Sequence, residues 1–469
     1  LAKIFLEKIL RLQPKVKKLF LLLRPTTEKS VEQRLQEEIF GSELFRVLKE
    51  RNGPDANSDL FAKVIPVCGD VANENLGIVG SELRDEMWHE IDIIVNSAAT
   101  TKFDERYDLA LGINAMGTMN VEKFARKCAK IEMLLHVSTA YVSGNKVGLI
   151  QEKPFEMGET LPGAKIQYLD INMEKQIVEE KLKELQILNA TEKEITRVMK
   201  DLGIQRAMLH GWPNTYSFTK AIGEMLLGNF KEKAKVVILR PTIITSTYAE
   251  PFPGWIEGLR TLDAIFVTYG RGKLEVFVGD PESTLDMIPG DMVVNSMLAA
   301  IASNQDSTKL VVYHVGSSLR NPLKFADIKW IMHRYLTKNP LLDKNRRPIK
   351  IGEPVTLDTM DSFRQYFAIH YLPFVKALGL VNMIFCNLFK SLYENATRRI
   401  DLIIRLAELY RPYLFFHGIF DDTNTENLRM AIRESKMDMD VLNFDPKCIQ
   451  WEEYFVNTHF HGIAKYVLK

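Results

Sequence analysis

The fold of this chain is decided by the stretch Met133-Leu-Leu-His-Val-Ser-Thr-Ala-Tyr-Val-Ser-Gly144. It opens on a short, mostly apolar run, and small hydroxyl-bearing residues follow at once. Such a run is typical of a strand buried in a parallel sheet, whose ligands bind outside the carboxyl ends of the strands. We therefore predict a strand over Met133 to Val137 and, at its end, a hydroxyl group that reaches a substrate oxygen. Thr139 is the candidate, and the adjacent Ser138 is the alternative.

Further apolar runs of strand length alternate with helix-length sequence, at 18–23, 63–67, 91–95, 236–239 and 310–315. This alternation predicts βαβ units and a doubly wound parallel sheet, an α/β fold of the Rossmann-like kind. We assign residues 1–354 to this catalytic domain, with a charged, solvated helical insertion at about 145–210 that could cover the site. Residues 355–469 are expected to form a helical C-terminal domain.

Polar or small residues follow the predicted strands where a dinucleotide would bind. Arg24 ends the first strand; in such sheets an arginine there accommodates the 2′-phosphate of NADP, whereas an acid takes the 2′-hydroxyl of NAD. A solvated strand-end arginine is the alternative. Asp70 could accept a hydrogen bond from the adenine amino group. The small residues after Asn96, up to Ala99, let a cofactor approach the backbone closely.

A second stretch, His210-Gly-Trp-Pro-Asn-Thr-Tyr-Ser-Phe-Thr-Lys220, carries the chemistry. Tyr216 and Lys220 are four residues apart, so on a helix they share one face. The ammonium makes the phenol a better proton donor, because a nearby positive charge favours the phenolate. This pair suits carbonyl reduction, in which the new oxyanion takes a hydrogen bond and then a proton from Tyr216. The same spacing also occurs on ordinary amphipathic helices.

Composition excludes several other classes of protein. The 469 residues include 61 basic and 60 acidic ones, so no basic surface predicts nucleic-acid binding. The four cysteines are widely separated, without metal-ligand spacing, and are expected to be reduced structural thiols. His459 and His461 have no third ligand nearby, so we predict no metal site.

Two apolar stretches bear on membranes. The first, Leu1 to Leu12, is interrupted by lysine and arginine, so it predicts a core-facing helix rather than a signal peptide or a membrane span. Because Leu1 is not a translation start, residues upstream are expected. The second, at 367–386, is interrupted by His370, Pro373, Lys376 and Asn382. It predicts a helix or hairpin lying on a membrane surface, or a buried helix pair that caps the main domain.

Several longer motifs together resemble the plant branch of the alcohol-forming fatty acyl-CoA reductases, within the extended short-chain dehydrogenase/reductase superfamily. The motifs extend over essentially the whole chain: Asn96-Ser-Ala-Ala-Thr-Thr-Lys-Phe-Asp-Glu-Arg-Tyr107, His136-Val-Ser-Thr-Ala-Tyr141, His210-Gly-Trp-Pro-Asn-Thr-Tyr216, Arg240-Pro-Thr-Ile-Ile-Thr-Ser246, Glu250-Pro-Phe-Pro-Gly-Trp255 and Phe416-His-Gly-Ile-Phe-Asp-Asp422.

This resemblance implies an intracellular enzyme, at the endoplasmic reticulum membrane or on its cytoplasmic face. With NADPH it would reduce long-chain acyl-CoA through an aldehyde to a primary alcohol, for wax or fatty alcohol synthesis. It implies catalysis by Thr139, Tyr216 and Lys220. It implies cofactor contacts at Arg24, Asp70, Val71, Asn96, Ala98, Asn114, Lys220 and Pro241.

The chain departs from the family pattern at its beginning. Members start this domain with a strand and a glycine fingerprint for the pyrophosphate, and both are absent from residues 1–469. Losing three or four buried side chains at about 1.5 to 3 kcal/mol each would remove roughly 5 to 12 kcal/mol, comparable with a typical total stability of about 5 to 15 kcal/mol. We therefore expect this stretch alone to fold poorly and to bind NADPH weakly.

Two other functions fit parts of the pattern. Another extended short-chain dehydrogenase, acting on a sterol or a sugar, would share the Tyr–Lys pair, but the long insertion and the C-terminal helices disfavour it. A non-catalytic acyl-binding or scaffold protein would explain the missing fingerprint.

Overall fold

The computed structural model of the chain describes residues 1–13, 15–259, 261–274, 276–303, 309–386, 388–435 and 441–468. The strands of the described residues are β1 (Leu19–Leu23), β2 (Val64–Cys68), β3 (Ile93–Asn96), β4 (Met133–Val137), β5 (Gly148–Ile150), β6 (Lys235–Pro241), β7 (Ile243–Thr245), β8 (Val276–Val278), β9 (Met287–Pro289), β10 (Leu310–Val315), β11 (Val355–Leu357) and β12 (Gly418–Phe420).

The α-helices are α1 (Ala2–Leu12), α2 (Val31–Arg34), α3 (Arg46–Phe61), α4 (Ser81–Glu90), α5 (Tyr107–Ala110), α6 (Gly117–Lys127), α7 (Ile171–Ile187), α8 (Glu192–Leu209), α9 (Thr215–Leu227), α10 (Thr261–Gly270), α11 (Gly290–Ala302), α12 (Phe325–Lys338), α13 (Met360–His370), α14 (Leu372–Ile384), α15 (Lys390–Leu414), α16 (Thr423–Glu434), α17 (Trp451–Glu453) and α18 (Phe460–Tyr466). Segments with π-helical hydrogen bonding are Leu35–Phe40, Leu111–Met116 and Tyr454–His459, and 3₁₀ turns are Glu43–Phe45, Glu74–Gly77, Ala140–Ser143, Phe230–Glu232 and Pro446–Cys448. Below, Leu111–Met116 is called the π segment and Ala140–Ser143 the β4 turn.

The predicted parallel strands are present, and they form two ladders. One has the order β10-β6-β4-β3, and the other pairs β1 with β2; every pairing in both is parallel. All residues of β4 are buried, whereas all residues of β1 and most of β3 are only half-buried. The α/β fold with a parallel sheet is therefore confirmed, and its most buried strand carries the sequence that predicted it.

One face of the four-stranded ladder changes from aliphatic to polar side chains toward the carboxyl ends of the strands. Toward the amino ends, alternate positions are aliphatic and join one hydrophobic core with α6 and the end of α9: Ile94, Leu134, Ile238 and Val312. The next position on the same face, two residues later, is polar in every strand: Asn96, His136, Arg240 and His314. Asn96 is the register partner of His136, and Arg240 that of His314; His136 itself is opposite Ile238, so the second pair lies two residues further along the same face. We call Asn96, His136, Arg240 and His314 the polar row, and it lies at the strand ends where a site is expected.

The described residues separate into two compact units. The first comprises Leu1–Glu257, Asp286–Asn321 and Ile419–Lys469, and contains both ladders. The second comprises Gly258–Leu285 and Pro322–Gly418. Its core packs β8 against α13, α14 and α15, and β8 pairs with β11 in parallel. The domain boundary at residue 354 stays a prediction.

The apolar stretch at 367–386 lies in α13 and α14 of the second unit. The segment Met360–Ile384 is long and apolar enough to cross a membrane. Within it, an 18-residue window has a mean hydropathy of 1.4, yet only 17% of that window is buried. On α14, the residues with buried side chains are Val375 and Asn382. The large side chains of Phe374, Met383 and Ile384 are exposed. The sequence left open a buried helix pair, and this exposure is the opposite of what such a pair would have.

Candidate active site

The helix that carries the predicted Tyr–Lys pair begins at a defined cap. The Asn214 side chain accepts a hydrogen bond from the backbone N–H of Ser217 at 2.9 Å, as an N-cap residue does. Tyr216 is thus in the first turn of α9, and Lys220 follows one turn later. Just before the cap, Trp212 donates its indole N–H to the carbonyl of Val142 at 2.8 Å. This bond ties the start of α9 to the β4 turn.

Gly211 permits a close approach between this segment and the insertion. Its φ of +92° lies in the region that residues with a side chain rarely adopt. A Cβ at this position would also lie 2.9 Å from the Cβ of Leu161. The glycine in His210-Gly-Trp-Pro is therefore required by both conformation and space.

Thr139 lies directly after β4, as predicted, and it caps the β4 turn. Its hydroxyl oxygen accepts from the backbone N–H of Tyr141 at 3.3 Å and lies 3.5 Å from the carbonyl oxygen of Pro241. The second contact is long for a hydroxyl donor, so the hydroxyl hydrogen is weakly held and can turn to another acceptor. The hydroxyl of the adjacent Ser138 is buried and has no hydrogen-bond partner among the described residues. Both candidate hydroxyls thus lie at the strand end.

Tyr216 and Lys220 differ in their exposure. The Tyr216 ring is half-buried, with the Phe103 ring 6.1 Å away between centroids. Lys220 is only 1% exposed, and its Nζ donates to the carbonyl of Val137 at 2.7 Å. Burial lowers the pKa of Lys220 to about 8, because desolvation disfavours the ammonium, while the charge of Glu224 acts in the opposite direction.

The polar row supplies further contacts beneath α9. Lys220 Nζ lies 3.2 Å from His136 Nε2, and His136 Nδ1 lies 3.1 Å from the Asn96 amide nitrogen. Asn96 was predicted to contact the cofactor; in the structure its side chain also anchors this imidazole. Desolvation, and then the charge of Lys220, hold the pKa of His136 well below its ordinary value. The sequence reasoning missed His136, although its position two residues after Leu134 was a readable signal.

One turn further along α9, the same face holds an ion pair. Arg240 donates to both carboxylate oxygens of Glu224, at 2.6 to 3.2 Å, and both residues are buried. Arg240 Nη1 also lies 3.4 Å from His314 Nε2, and the guanidinium lies over the Phe155 ring. Burial, and then the charge of Arg240, lower the pKa of His314 to about 3. The helix bearing Tyr216 is therefore held to the sheet at two points, through Lys220 and through Glu224.

The side chain of Asn114, predicted as a cofactor contact, makes three hydrogen bonds within the protein. Its amide oxygen accepts from the backbone N–H of Thr100 at 3.0 Å, and its amide nitrogen donates to the carbonyl of Thr100 and to the hydroxyl of Thr219. Asn114 is 0% exposed. The structure thus shows it pinning the loop after β3 to α9.

The remaining predicted cofactor residues lie at strand ends. Arg24 and Ala98 are exposed, after β1 and β3. Asp70, after β2, accepts from the backbone N–H of Ala72 at 2.9 Å, which leaves further lone pairs on its carboxylate. The carbonyl of Val71 accepts from the Asn120 side chain at 2.9 Å. Pro241 is the last, buried residue of β6. Arg24 and Asp70 follow the β1–β2 ladder, whereas Asn96, Thr139, Lys220 and Pro241 surround the end of the four-stranded one.

These groups fit a nicotinamide dinucleotide at its two ends. The exposed guanidinium of Arg24 after β1 and the half-buried carboxylate of Asp70 after β2 suit an adenosine ribose and base. Near the nicotinamide end, Lys220 has three N–H groups, of which one is donated to Val137 and one faces His136. The third is left for a ribose hydroxyl or for Tyr216. The described residues hold no group of three metal-ligating side chains placed to bind an ion.

The charged insertion contains a buried cluster that the sequence interpretation missed. Glu174, predicted to lie on a solvated helix face, is 1% exposed, so that prediction is wrong for this residue. Its carboxylate accepts from the Tyr107 hydroxyl at 2.8 Å and from Arg206, and it lies 3.0 Å from His210 Nε2. Although burial opposes it, these partners lower the pKa of Glu174 to about 2. The cluster fixes α7 and α8 to the segment that leads into α9.

Two family models together match most of this chain. Residues 1–297 match an NAD-binding family model described as "Male sterility protein", and residues 369–469 match a second model with the same description. The chain is 51% identical to "Fatty acyl-CoA reductase 1" of Arabidopsis thaliana and 50% identical to "Alcohol-forming fatty acyl-CoA reductase" of Simmondsia chinensis, in both cases over 100% of this chain and 95% of the relative.

A solved structure shares the fold. It is the terminal R domain from the myxalamid PKS-NRPS biosynthetic pathway, with a TM-score of 0.56 at 15% sequence identity, over 98% of this chain and 87% of that one. The matches to the two plant reductases extend over the whole of this chain. The chain belongs to the plant fatty acyl-CoA reductase family, within the extended short-chain dehydrogenase/reductases, and carries that family's nicotinamide-dinucleotide-binding domain.

Proposed function

We propose that this protein reduces long-chain acyl-CoA to a primary alcohol through an aldehyde, with NADPH as the reductant, and that Thr139, Tyr216 and Lys220 are its catalytic residues. One observation carries the proposal. A half-buried phenol in the first turn of α9 precedes, by one turn, a lysine that is fully buried against the end of β4. The family relationship supports the choice of substrate.

In the first reduction, the hydroxyls of Thr139 and Tyr216 hold the thioester oxygen. NADPH, when bound, supplies the hydride for each of the two reductions. Tyr216 donates its proton to the oxygen as negative charge develops there, and the Lys220 ammonium stabilises the resulting phenolate. The hydroxyl proton of the hemithioacetal passes to the sulfur as the carbon–sulfur bond breaks, so CoA leaves as the thiol, and the Tyr216 phenolate takes up a proton before the second reduction. Tyr216 protonates the aldehyde oxygen in the second reduction, so one alcohol consumes two NADPH and two protons.

Direct product analysis tests this reaction. The protein would be incubated with saturated acyl-CoAs of increasing chain length and NADPH, and aldehyde, alcohol and free CoA would be measured. We expect primary alcohol and two NADPH consumed for each alcohol formed. Aldehyde as the final product would limit the reaction to one reduction. Nucleotide binding without any turnover of acyl-CoA would instead favour a non-catalytic acyl-binding protein, and oxidation of a sterol or turnover of a nucleotide sugar would favour a different dehydrogenase.

The choice of NADPH rests on Arg24. Its side chain is exposed after β1, and its carbonyl accepts from the Arg34 guanidinium at 2.7 Å, so a second cation lies beside it. A hydrogen bond to a charged group contributes about 1.5 to 3 kcal/mol. Arg24→Ala should therefore lower kcat/KM for NADPH by about tenfold to a hundredfold and leave kcat/KM for NADH nearly unchanged. Equal losses with the two nucleotides would remove Arg24 from the 2′-phosphate site.

Residues 367–386 are proposed to lie on a membrane surface, at the cytoplasmic face of the endoplasmic reticulum. Phe374, Met383 and Ile384 are 66 to 72% exposed, and burying such a side chain in lipid contributes about 1.5 to 3 kcal/mol. Replacing all three by serine should abolish co-flotation with phospholipid vesicles. Serine at Ile187 and Leu188, which are 79% and 67% exposed on the insertion, is the matched control and should leave flotation unchanged. Equal flotation of all variants would refute the assignment.

A further inference from the structure

The inward-facing histidine of β4 connects a strand end to the lysine of α9. Asn96 and His136 are register partners in the parallel ladder of β3 and β4. The Asn96 amide nitrogen lies 3.1 Å from His136 Nδ1, and the other ring nitrogen, Nε2, lies 3.2 Å from Lys220 Nζ. All three side chains are buried. The imidazole on β4 therefore connects Asn96 on β3 with Lys220 on α9.

The number of hydrogens on these groups determines which of the two imidazole nitrogens donates and which accepts. A neutral imidazole has one N–H and one lone pair, so its two contacts must be of opposite kinds. When the Asn96 amide donates to Nδ1, the ring proton is on Nε2 and is donated to an uncharged Lys220 amine. When Lys220 is an ammonium, Nε2 accepts, Nδ1 carries the proton, and Asn96 must present its oxygen instead. Uptake of one proton by Lys220 therefore moves the ring proton to the other nitrogen and turns the Asn96 amide.

The surrounding charges allow this exchange. On α9 the neighbouring titratable groups are Tyr216 and Glu224, and on β6 Arg240 neutralises Glu224 through its two-oxygen contact. From β3 and the π segment the groups are uncharged asparagines. Burial and the charge of Lys220 keep the pKa of His136 low, so the ring stays neutral while Lys220, whose pKa is about 8, changes its charge.

We propose that His136 is a positioning residue for Lys220: it fixes the Nζ under the first turn of α9 and couples the charge of the lysine to the imidazole tautomer and to the orientation of the Asn96 amide. The inference rests on the reduction proposed above, because there Lys220 acts as the ammonium. That charged state is present when His136 carries its proton on Nδ1.

Two substitutions separate positioning from a merely structural role. In His136→Gln the amide oxygen accepts from the ammonium and the amide nitrogen donates to Asn96, so the ammonium is favoured and the alkaline limb of the kcat profile moves up by about half a pH unit or more. In His136→Met both bonds are lost, so the limb moves down and kcat falls about tenfold to a hundredfold. KM for acyl-CoA and NADPH should stay within about threefold in both variants. Shifts in the same direction, or no shift, would overturn the proposal.

A measurement without turnover decides the matter even if the methionine variant does not fold. The protein would be labelled with ¹⁵N-histidine, and the His136 ring signals identified by their loss in His136→Gln. We expect a neutral ring at every pH from 6 to 9 and a change of tautomer near pH 8, which Lys220→Met abolishes. A ring that becomes imidazolium in this range, or one tautomer throughout, would refute the coupling. Such a result in a protein that still forms alcohol would leave the proposed function intact. Coupling in a protein without reductase activity would support the role of His136 and contradict the proposed function.

Discussion

The helix α9, which carries Tyr216 and Lys220, packs closely against its neighbour at Gly223, three residues after Lys220. A Cβ at this position would lie 2.5 Å from the carbonyl oxygen of Asn114, in the π segment, and 3.2 Å from the hydroxyl of Thr118. The oxygen is backbone, so it cannot turn away. In Gly223→Ala, therefore, α9 must withdraw from the π segment by about 0.5 Å or more to restore a normal contact.

Two effects on stability oppose each other in this variant. Overpacking of a close contact costs about 1 to 3 kcal/mol, while alanine in place of glycine within a helix gains about 1 kcal/mol. The net loss should therefore be about 2 kcal/mol at most. Catalysis should suffer more, because a displacement of about 1 Å in the reacting groups can cost on the order of a hundredfold in rate. We expect kcat to fall about tenfold, since the helix that moves carries both Tyr216 and Lys220.

Gly112→Ala is the matched control. Gly112 lies in the facing π segment, and a Cβ there would meet no atom within 4 Å. We expect this variant to keep its kcat and to be equally stable or more stable by up to about 1 kcal/mol. Urea unfolding gives the stability of both variants, and the initial rate of NADPH oxidation with saturating acyl-CoA gives kcat. If the two variants have the same kcat, the close contact between α9 and the π segment does not position the catalytic pair.

Three other predictions test the buried polar groups. Glu174→Gln should cost about 1.5 to 3 kcal/mol at pH 7, because the half-buried Arg206 loses its hydrogen bonds to a charged carboxylate; urea unfolding measures it. Since the folded-state pKa of Glu174 is lowered to about 2, its stabilisation is complete above the unfolded pKa of about 4.5 and is lost as the pH falls toward 2. The wild type should therefore lose stability in that window more steeply than Glu174→Gln, and parallel curves would contradict the assignment. Glu224→Met alone should cost about 3 to 5 kcal/mol, whereas Glu224→Met with Arg240→Met should cost much less; additive losses in a double-mutant cycle would show that the pair is not coupled. Thr139→Ala should lower kcat by about a hundredfold or more, as removal of an oxyanion donor does, and Thr139→Ser should restore most of it; equal rates for the two variants would exclude the hydroxyl from catalysis.

The fold could be predicted from sequence where one pattern has one structural meaning. The strands β4 and β10 have the predicted bounds, because a short, mostly apolar run is typical of a strand that is buried on both faces of a parallel sheet. The polar row was harder to predict from the sequence. Asn96 was recognised because it ends a strand, but His136 and Arg240 were missed because a strand's polar inward residue can be identified only by counting alternate positions from an aliphatic neighbour.

Side-chain partners set the limit of the prediction for the site. The charge pattern that predicts a solvated helix does not reveal that Glu174 faces Arg206 and Tyr107, since their separations of 32 and 67 residues depend on the tertiary fold. The same holds for Asn114, whose hydrogen bonds to Thr100 and Thr219 are visible only in the structure. Likewise, the apolar composition of 367–386 is the same for a buried and an exposed helix; only the structure shows that most of the large side chains are exposed.

The role of Tyr216 as proton donor is tested most directly by Tyr216→Phe, which removes only the hydroxyl oxygen. Tyr141→Phe is the matched control, since it removes the hydroxyl of a tyrosine in the β4 turn that has no role in the proposed reaction. With NADPH binding checked by fluorescence, single-turnover formation of aldehyde and alcohol would be measured in both. We expect Tyr216→Phe to bind NADPH normally and to lose about a hundredfold to ten-thousandfold in rate, while Tyr141→Phe stays within about threefold. Turnover of Tyr216→Phe at a rate close to that of the control would contradict the assignment of Tyr216 as the proton donor.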